Sequence, residues 1–187
     1  MRFLILIAMT LALLGCRKMT LEGFSVYKIK EGKHSSAKMI RTLVSDLLEF
    51  ECRFDSSAVY QTSIPQNQGD INKLYGFSEC NQTHQKNSAR FGWRWFNDKL
   101  EIHAYVYNHG VRSSEFIKSV EIGSVSKYRI EISGDKYLFS VDGVSVEMDR
   151  TSKCNTGLYY MLYPYFGGDE TAPHDIKIYI KDGKGVR

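Results

Sequence analysis

Five polar and aromatic side chains alternate onto one face of two neighbouring strands that the sequence predicts. The strands are "ARFGWRWF", residues 89–96, and "LEIHAYVY", residues 100–107. Side chains two residues apart along a strand point to the same face of the sheet, so each strand has one apolar face and one polar face. The polar face carries Arg94, Glu101, His103, Tyr105 and Tyr107.

This set of side chains has the chemistry of a carbohydrate-binding surface. Aromatic rings pack on the apolar faces of sugar rings, and charged groups hydrogen-bond to hydroxyls and carboxylates. The alternative is an ordinary solvent-exposed sheet face, although such faces are usually rich in Lys, Glu, Thr and Ser rather than Tyr and His. Arg94, His103 and Tyr105 are therefore candidate ligand-binding residues.

A second candidate site lies in the stretch "YMLYPYFGGDETAPHDIKIYI", residues 160–180. Pro164 cannot donate a ladder hydrogen bond and Gly167-Gly168 permit a tight turn, so the stretch is first of all a strand corner. Acidic side chains around His174 could bind Ca²⁺ through their oxygens, and a loop of solvated acids is the alternative. The candidate calcium ligands are Asp169, Glu170 and Asp175.

No complete catalytic motif is present in the chain. There is no phosphate-binding loop, no GxSxG elbow and no Ser-His-Asp arrangement. His34, His84 and His109 occur in scattered polar contexts without metal-ligand spacing. The net charge is only +4, and acidic residues are interleaved with basic ones, which argues against a nucleic-acid partner.

Period-two alternation predicts an all-β domain. The clearest strand is "LLEFECRF", residues 47–54, in which Phe50, Cys52 and Phe54 share one face. Short strands separated by turn residues, with no internal repeat, favour a two-sheet antiparallel sandwich or a barrel. The other strands fall at residues 89–96, 100–107, 128–132, 137–141, 157–166 and 175–181.

Two segments lack a clear pattern. Residues 36–48 could form a short helix and fit an extended chain almost as well. Residues 61–88 are rich in Gln, Asn, Ser and Gly and show no sustained periodicity. A connection of that length inside a compact domain is more often functional than a short turn.

The cysteines allow at most one internal disulfide bond. If Cys16 is lipidated, Cys52, Cys80 and Cys154 remain, and this odd number leaves at least one free thiol. Cys52 is expected to be a buried free cysteine because it shares a face with Phe50 and Phe54. Their spacing matches no CxxC-type pattern, and the sequence does not identify a pair.

The N-terminus has the layout of a cleaved export signal. Its apolar run, residues 3–14, is shorter than the roughly 20 residues that span a bilayer. Leu13-Leu14-Gly15-Cys16 resembles the lipobox of bacterial lipoproteins, whose cysteine is acylated and becomes the N-terminus after cleavage. An ordinary signal or an uncleaved anchor is the alternative. The expected division is a signal peptide (1–15), a lipidated tether (16–22), one folded domain (23–182) and a tail (183–187).

This resemblance implies a protein held in the bacterial cell envelope by its N-terminal lipid. Arg17-Lys18 follow the cysteine, where enterobacterial proteins of the inner membrane have an aspartate, and this favours the outer membrane. The lipid bilayer is the expected partner, a glycan is a candidate partner, and no cofactor other than the candidate Ca²⁺ is expected.

The strand order resembles a concanavalin A-like jelly roll, the sandwich of lectins and glucanases. The resemblance rests on residues 110–143, whose paired strands end on a VDG turn, and on "YPYFGG...HDIKIYI", and it covers residues 23–182. More narrowly, "SARFGWRW", "EIHAY" and "YPYFGG" occur in the same order as three sequence blocks of alginate-lyase-type polysaccharide lyases. This resemblance implies that His103 lies on the base side, that Arg94 neutralises a uronate carboxylate, and that Tyr165 donates a proton.

The chain departs from that family in two blocks. Glu101 stands where the family has a glutamine, and Gly167-Gly168 follow Phe166 directly, without the family's lysine. The sequence therefore favours an envelope lipoprotein whose β-sandwich binds carbohydrate or another envelope ligand. The alternative is a lyase that cleaves a uronate-containing glycan by β-elimination.

Replacing Cys16 with Ser is predicted to release the protein from the membrane fraction, because the thiol that accepts the lipid is lost. Fractionation and palmitate labelling of cells that produce the parent or the variant would test this. Retention of both the membrane association and the label by Cys16→Ser would contradict lipidation at this position.

Overall fold

The computed structural model describes residues 21–36, 40–80 and 82–187. These residues form two six-stranded antiparallel sheets that pack face to face, so the predicted all-β sandwich is confirmed. Sheet A has the order β1-β12-β3-β8-β9-β10, and sheet B has the order β2-β11-β4-β5-β6-β7. The strands are β1 (Ser25–Ile29), β2 (Thr42–Leu43), β3 (Leu47–Phe54), β4 (Asn72–Ser78), β5 (Asn87–Phe96), β6 (Lys99–Asn108), β7 (Val111–Val120), β8 (Val125–Ser133), β9 (Lys136–Val141), β10 (Val144–Asp149), β11 (Tyr159–Leu162) and β12 (Ile176–Asp182). Two short 3-10 helices span Ser56–Ala58 and Pro65–Gly69.

The core lies between the sheets and is built mainly from aromatic rings. Phe50 of β3 stacks on Tyr128 of β8 with ring centroids 4.9 Å apart, and Phe91 of β5 meets Tyr128 edge-on at 5.0 Å. Trp93 is fully buried and contacts Phe54 at 5.3 Å. Such pairs add about 0.5–1.5 kcal/mol each beyond the burial of their surface. The alternating apolar positions of the sequence are therefore the inner faces of the two sheets.

Strands β5 and β6 pair over their whole length without a shift in register. The ladder runs from Asn87 opposite Asn108 to Phe96 opposite Lys99. The turn between them, Asn97-Asp98, has φ angles of 49° and 57°, and asparagine and aspartate tolerate this left-handed region better than most residues. A one-residue slip would exchange the apolar and polar faces, so this pairing determines which side chains face outward from sheet B.

Strand β4 lies inside the stretch that the sequence interprets as one long connection, residues 61–88, so that interpretation is wrong. Six of the seven residues of β4 are buried. A strand that is buried on both faces does not alternate between apolar and polar residues, so the sequence gives no period-two signal for it. The register also shifts between Lys73 and Gly76. A Cβ on Gly76 would lie 2.2 Å from the carbonyl oxygen of Ala89, so only glycine fits where β4 crosses β5.

The stretch near residues 36–48 contains no helix in its described part. Thr42–Leu43 form a short strand of sheet B, and β3 begins at Leu47.

The predicted tail, residues 183–187, is joined to sheet B, because the backbones of Thr42 and Arg187 exchange two hydrogen bonds of 2.9 and 2.8 Å.

Cys80 and Cys154 form a disulfide bond, and Cys52 is a free buried cysteine as predicted. Beside the disulfide, the buried Glu79 forms an ion pair with Arg150 and accepts a hydrogen bond from the hydroxyl of Tyr137. The disulfide bond and the ion pair together join the end of β4 to the segment after β10.

The export signal and Cys16 lie outside the described residues. Within the residues that the structure describes, no helix has the length and apolarity needed to cross a membrane.

Trp93→Ala is predicted to lower the free energy of unfolding by about 3–5 kcal/mol, because it leaves a large cavity between the sheets. Chemical unfolding followed by fluorescence or circular dichroism would measure this. Val111→Ala is the control, since Val111 is 69% exposed at the start of β7, and it should change stability little. A loss for Trp93→Ala as small as that of the control would contradict the core assignment.

Candidate functional site

A cleft of about 660 Å³ lies on the outward face of sheet B. Strand β11 and the segment after it form one side of the cleft, and β5, β6 and β7 form its floor. The register places Arg90 opposite Tyr105 and Tyr107 opposite Arg112. The charged, aromatic and imidazole side chains that line it are Lys73, His84, Arg90, Tyr105, Tyr107, Arg112, Tyr163 and Tyr165.

Arg90 is the most deeply buried of the charged residues in the cleft, with 5% of its surface exposed. One terminal nitrogen, Nη2, donates a hydrogen bond of 2.8 Å to the carbonyl oxygen of Tyr163. Its Nε is buried without a hydrogen-bond partner. Burial lowers the pKa of Arg90 to about 10. The guanidinium thus remains charged at neutral pH and retains an unused donor.

Lys73 and Tyr165 are held opposite each other by two backbone hydrogen bonds of 2.8 and 2.9 Å. The Nζ of Lys73 lies 5.9 Å from the ring centroid of Tyr165 and 5.3 Å from that of Tyr105, distances typical of cation–π contacts. Burial and the nearby charges of Arg90 and Arg112 lower the pKa of Lys73 to about 8. An ammonium group is therefore kept between two tyrosine rings in a positively charged cleft.

The tyrosines supply both ring faces and hydroxyl groups. Tyr105 and Tyr107 pack edge-on with centroids 5.9 Å apart, and burial raises the pKa of Tyr105 to about 12, so its hydroxyl stays protonated and can donate. Tyr165 is 38% exposed and stacks on His34 at 5.2 Å. The Nδ1 of His34 in turn lies 2.9 Å from the carbonyl oxygen of Phe166, which fixes the imidazole beneath the tyrosine.

Arg94, Glu101 and His103 form a separate cluster further along the same face. The Nε of Arg94 donates to Glu101 Oε2 at 2.7 Å, and the Nε2 of His103 lies 3.3 Å from the same oxygen. Arg94 also donates to the carbonyl oxygen of Gly69 at 2.7 Å. Burial, and then the charge of Arg94, lower the pKa of His103, which keeps this imidazole neutral at pH 7. The side chains of this cluster thus form most of their hydrogen bonds with one another.

The structure thus separates the four predicted site residues into two pairs. Tyr105 and Tyr165 line the cleft, whereas Arg94 and His103 belong to the neighbouring cluster and do not line it. Sequence reasoning missed Lys73, Arg90 and Arg112 as members of the site. Arg90 could have been found because it shares its strand face with Arg94. Lys73 gave no signal because β4 was not recognised.

The candidate calcium ligands are not brought together. Asp175 forms an ion pair with Lys28, and Glu170 accepts hydrogen bonds from the backbone nitrogens of Ser63 and Ile64. Within residues 21–36, 40–80 and 82–187, no group of three or more His, Cys, Asp or Glu side chains could hold a metal ion. Asp169 is exposed.

A second groove, of about 580 Å³, lies on sheet A. Its lining mixes acidic and basic side chains, among them Glu49, Glu51, Lys127 and Arg129. Arg129 pairs with Glu131 at 2.7 Å, as expected of an ordinary solvated face. The cleft on sheet B is the better candidate, because its cations have aromatic neighbours and its lining includes no acidic side chain among the described residues.

No protein-family model matches the sequence, and no curated protein matches it. Solved structures do match in fold. The alginate lyase AlyC3 aligns with a TM-score of 0.56 at 12% identity, over 88% of this chain and 74% of that one. The catalytic domain of an endo-1,3-beta-glucanase from Thermotoga petrophila aligns with a TM-score of 0.56 at 10% identity, over 89% of this chain and 77% of that one. A non-specific endo-beta-1,3(4)-glucanase from family GH16 aligns with a TM-score of 0.54 at 12% identity, over 88% of this chain and 72% of that one.

These identities are low, so the likeness shows the fold alone. With the two antiparallel sheets, it confirms the predicted concanavalin A-like jelly-roll sandwich.

Arg94→Ala is predicted to lower the free energy of unfolding by about 1–3 kcal/mol, because Glu101 loses its charged partner in a half-buried site. Urea unfolding would measure the loss. The double variant Arg94→Ala/Glu101→Gln should lose less, since a neutral amide needs no cation. An Arg94→Ala protein as stable as the parent would show that the cluster does not contribute to stability.

Proposed function

We propose that this protein is a lipid-anchored component of the bacterial cell envelope whose cleft on sheet B binds a carbohydrate chain. The observation that carries the proposal is the cleft itself, where Tyr105, Tyr107 and Tyr165 stand beside Lys73 and Arg90 on a rigid sheet. Sugar rings present apolar faces to aromatic rings and hydroxyls to charged donors. The cleft offers both kinds of contact.

The fold supports this proposal. The similar solved structures include an alginate lyase and two glucanases, so the same sandwich is used by proteins that act on polysaccharides. Because fold does not determine function, the argument rests on the side chains of this cleft. Its volume of about 660 Å³ lies within the range of roughly 300–1,000 Å³ that is usual for ligand-binding sites.

The anchor is proposed from the lipobox at Cys16. Strand β1 begins at Ser25, so only about eight residues separate Cys16 from the first strand of the domain. A tether of this length reaches at most about 3.5 Å per residue, and the domain would stay close to the membrane surface. Glycans of the cell envelope are within reach of such a domain.

The second candidate function is β-elimination of a uronate-containing glycan. The observation that favours it is the pairing of an amine whose pKa is about 8 with a phenol, Lys73 beside Tyr165, in one cleft. Elimination needs a proton acceptor and a proton donor within reach of the same sugar. Lyase activity would appear as the ultraviolet absorbance of unsaturated uronate products, and its absence on all uronate polymers would leave binding as the function.

Binding to carbohydrate is predicted to be measurable on a glycan array with the purified protein, and Tyr165→Ala should weaken it. Loss of a stacked ring removes about 0.5–1.5 kcal/mol beyond the lost buried area, roughly a tenfold change in affinity. Tyr160→Ala is the matched control, because Tyr160 is 42% exposed on the same sheet and does not line the cleft. Equal binding by both variants, or no binding to any glycan, would contradict the proposal.

A further inference from the structure

Three cationic side chains converge on the cleft from three different strands. Lys73 lies on β4, Arg90 on β5 and Arg112 on β7. Their mutual effect is direct, since the charges of Arg90 and Arg112 both lower the pKa of Lys73. No Asp or Glu side chain is among the described residues that line the cleft. The negative charge of Asp70 raises the pKa of Lys73, but this effect is smaller than the opposing effects of Arg90 and Arg112.

Arg90 is buried, Lys73 is half-buried and Arg112 is exposed. Two other arginines that are buried or half-buried have carboxylate partners. Arg41 pairs with Asp182 at 2.6 Å, and Arg150 pairs with Glu79 at 2.8 Å. In the described part of the chain, no ion pair involves any of the three cleft cations. Burying a charge without a partner is costly, and the Nε of Arg90 is both buried and without an acceptor. The cleft therefore contains cations that have no carboxylate partner among the described residues.

The double glycine of the corner keeps space for one of these donors. A Cβ on Gly167 would lie 2.2 Å from the Nζ of Lys73 and 2.7 Å from the backbone carbonyl oxygen of Ile71. The backbone bridge between Lys73 and Tyr165 holds the lysine backbone beside the corner. The absence of a side chain at Gly167 therefore leaves space both for the backbone of β4 and for the ammonium group.

We propose that Lys73, Arg90 and Arg112 form a subsite for an oxyanion carried by the bound glycan, a ring carboxylate or a sulfate ester, and that Lys73 makes the site selective for acidic over neutral chains. This inference rests on the proposed carbohydrate binding and names its ligand class. Ammonium and guanidinium groups form charge-assisted hydrogen bonds with both kinds of oxyanion. The tyrosines beside them would contact the sugar ring that carries the charged group.

The subsite should respond to pH through Lys73. Below its pKa of about 8 the amine is charged and attracts the anion, and above that pH the charge is lost. The affinity for an acidic chain should therefore fall as the pH rises from about 7 to about 9. Arg90 has a pKa of about 10 and stays mostly charged over this range.

The test measures binding of the full-length protein, in micelles of a non-ionic detergent, to three polymers. Polymannuronate carries carboxylates, a sulfated galactan carries sulfate esters, and a neutral β-1,3-glucan carries neither. We expect binding to at least one acidic polymer to be about tenfold or more tighter than to the neutral glucan, the scale of one lost charged hydrogen bond. The acidic polymer that is preferred identifies the oxyanion.

Lys73→Met should reduce that binding about tenfold and narrow the preference for acidic over neutral polymer by the same factor, since it keeps the length of the side chain without its charge. Lys118→Met is the matched control, because Lys118 lies on β7 of the same sheet and faces Asp142 rather than the cleft. Lys73→Arg should keep the binding at about pH 9, where the parent loses it. Circular dichroism and unfolding midpoints would establish that each variant is folded.

Equal affinity for neutral and acidic polymers would overturn the subsite and leave carbohydrate binding in place. A folded Lys73→Met protein that binds acidic polymer as tightly as the parent does would also overturn the subsite and leave carbohydrate binding in place. Absence of binding to every carbohydrate would overturn both the proposed function and this inference.

Discussion

The unshifted pairing of β5 with β6 is the constraint on which the cleft and the core both depend. Ten consecutive residue pairs are in register, so every inward residue of one strand faces an inward residue of the other. Trp93 and Ile102 are thereby buried between the sheets, and Arg90 and Tyr105 face outward together. A slip by one residue would bury a guanidinium and expose a tryptophan. The apolar core thus fixes the position of the charged floor of the cleft.

The outward face of sheet B contains two groups of charged residues that differ in how far their charges are satisfied. In the Arg94 cluster, the carboxylate of Glu101 is contacted by Arg94 and His103, so the cluster contributes to the structure. In the cleft, Arg90 and Lys73 have a carbonyl and tyrosine rings as their contacts. A native protein usually pairs its buried charges. These charges without carboxylate partners are the basis of the proposed oxyanion subsite.

The corner at Pro164–Gly168 joins these features. Its backbone pairs with β4 through the bridge of Tyr165 and Lys73, and Gly167 leaves the space that the lysine occupies. Sequence reasoning interpreted the glycines as a turn requirement. The turn explains Gly168, whose φ is +81°. Gly167 is explained by its close approach to the backbone carbonyl oxygen of Ile71 and the side chain of Lys73, nearly a hundred residues earlier in the chain.

The sequence by itself determined the strands with clear alternation, the apolar inner faces, the buried free Cys52 and two of the cleft tyrosines, Tyr105 and Tyr165. These features depend on local periodicity, which is present in the order of residues along one strand. Only the tertiary structure decided the position of β4, the pairing of Cys80 with Cys154, and the convergence of Lys73, Arg90 and Arg112. Each of these depends on contacts between residues far apart in the chain, and the order of strands in a sheet carries no local signal.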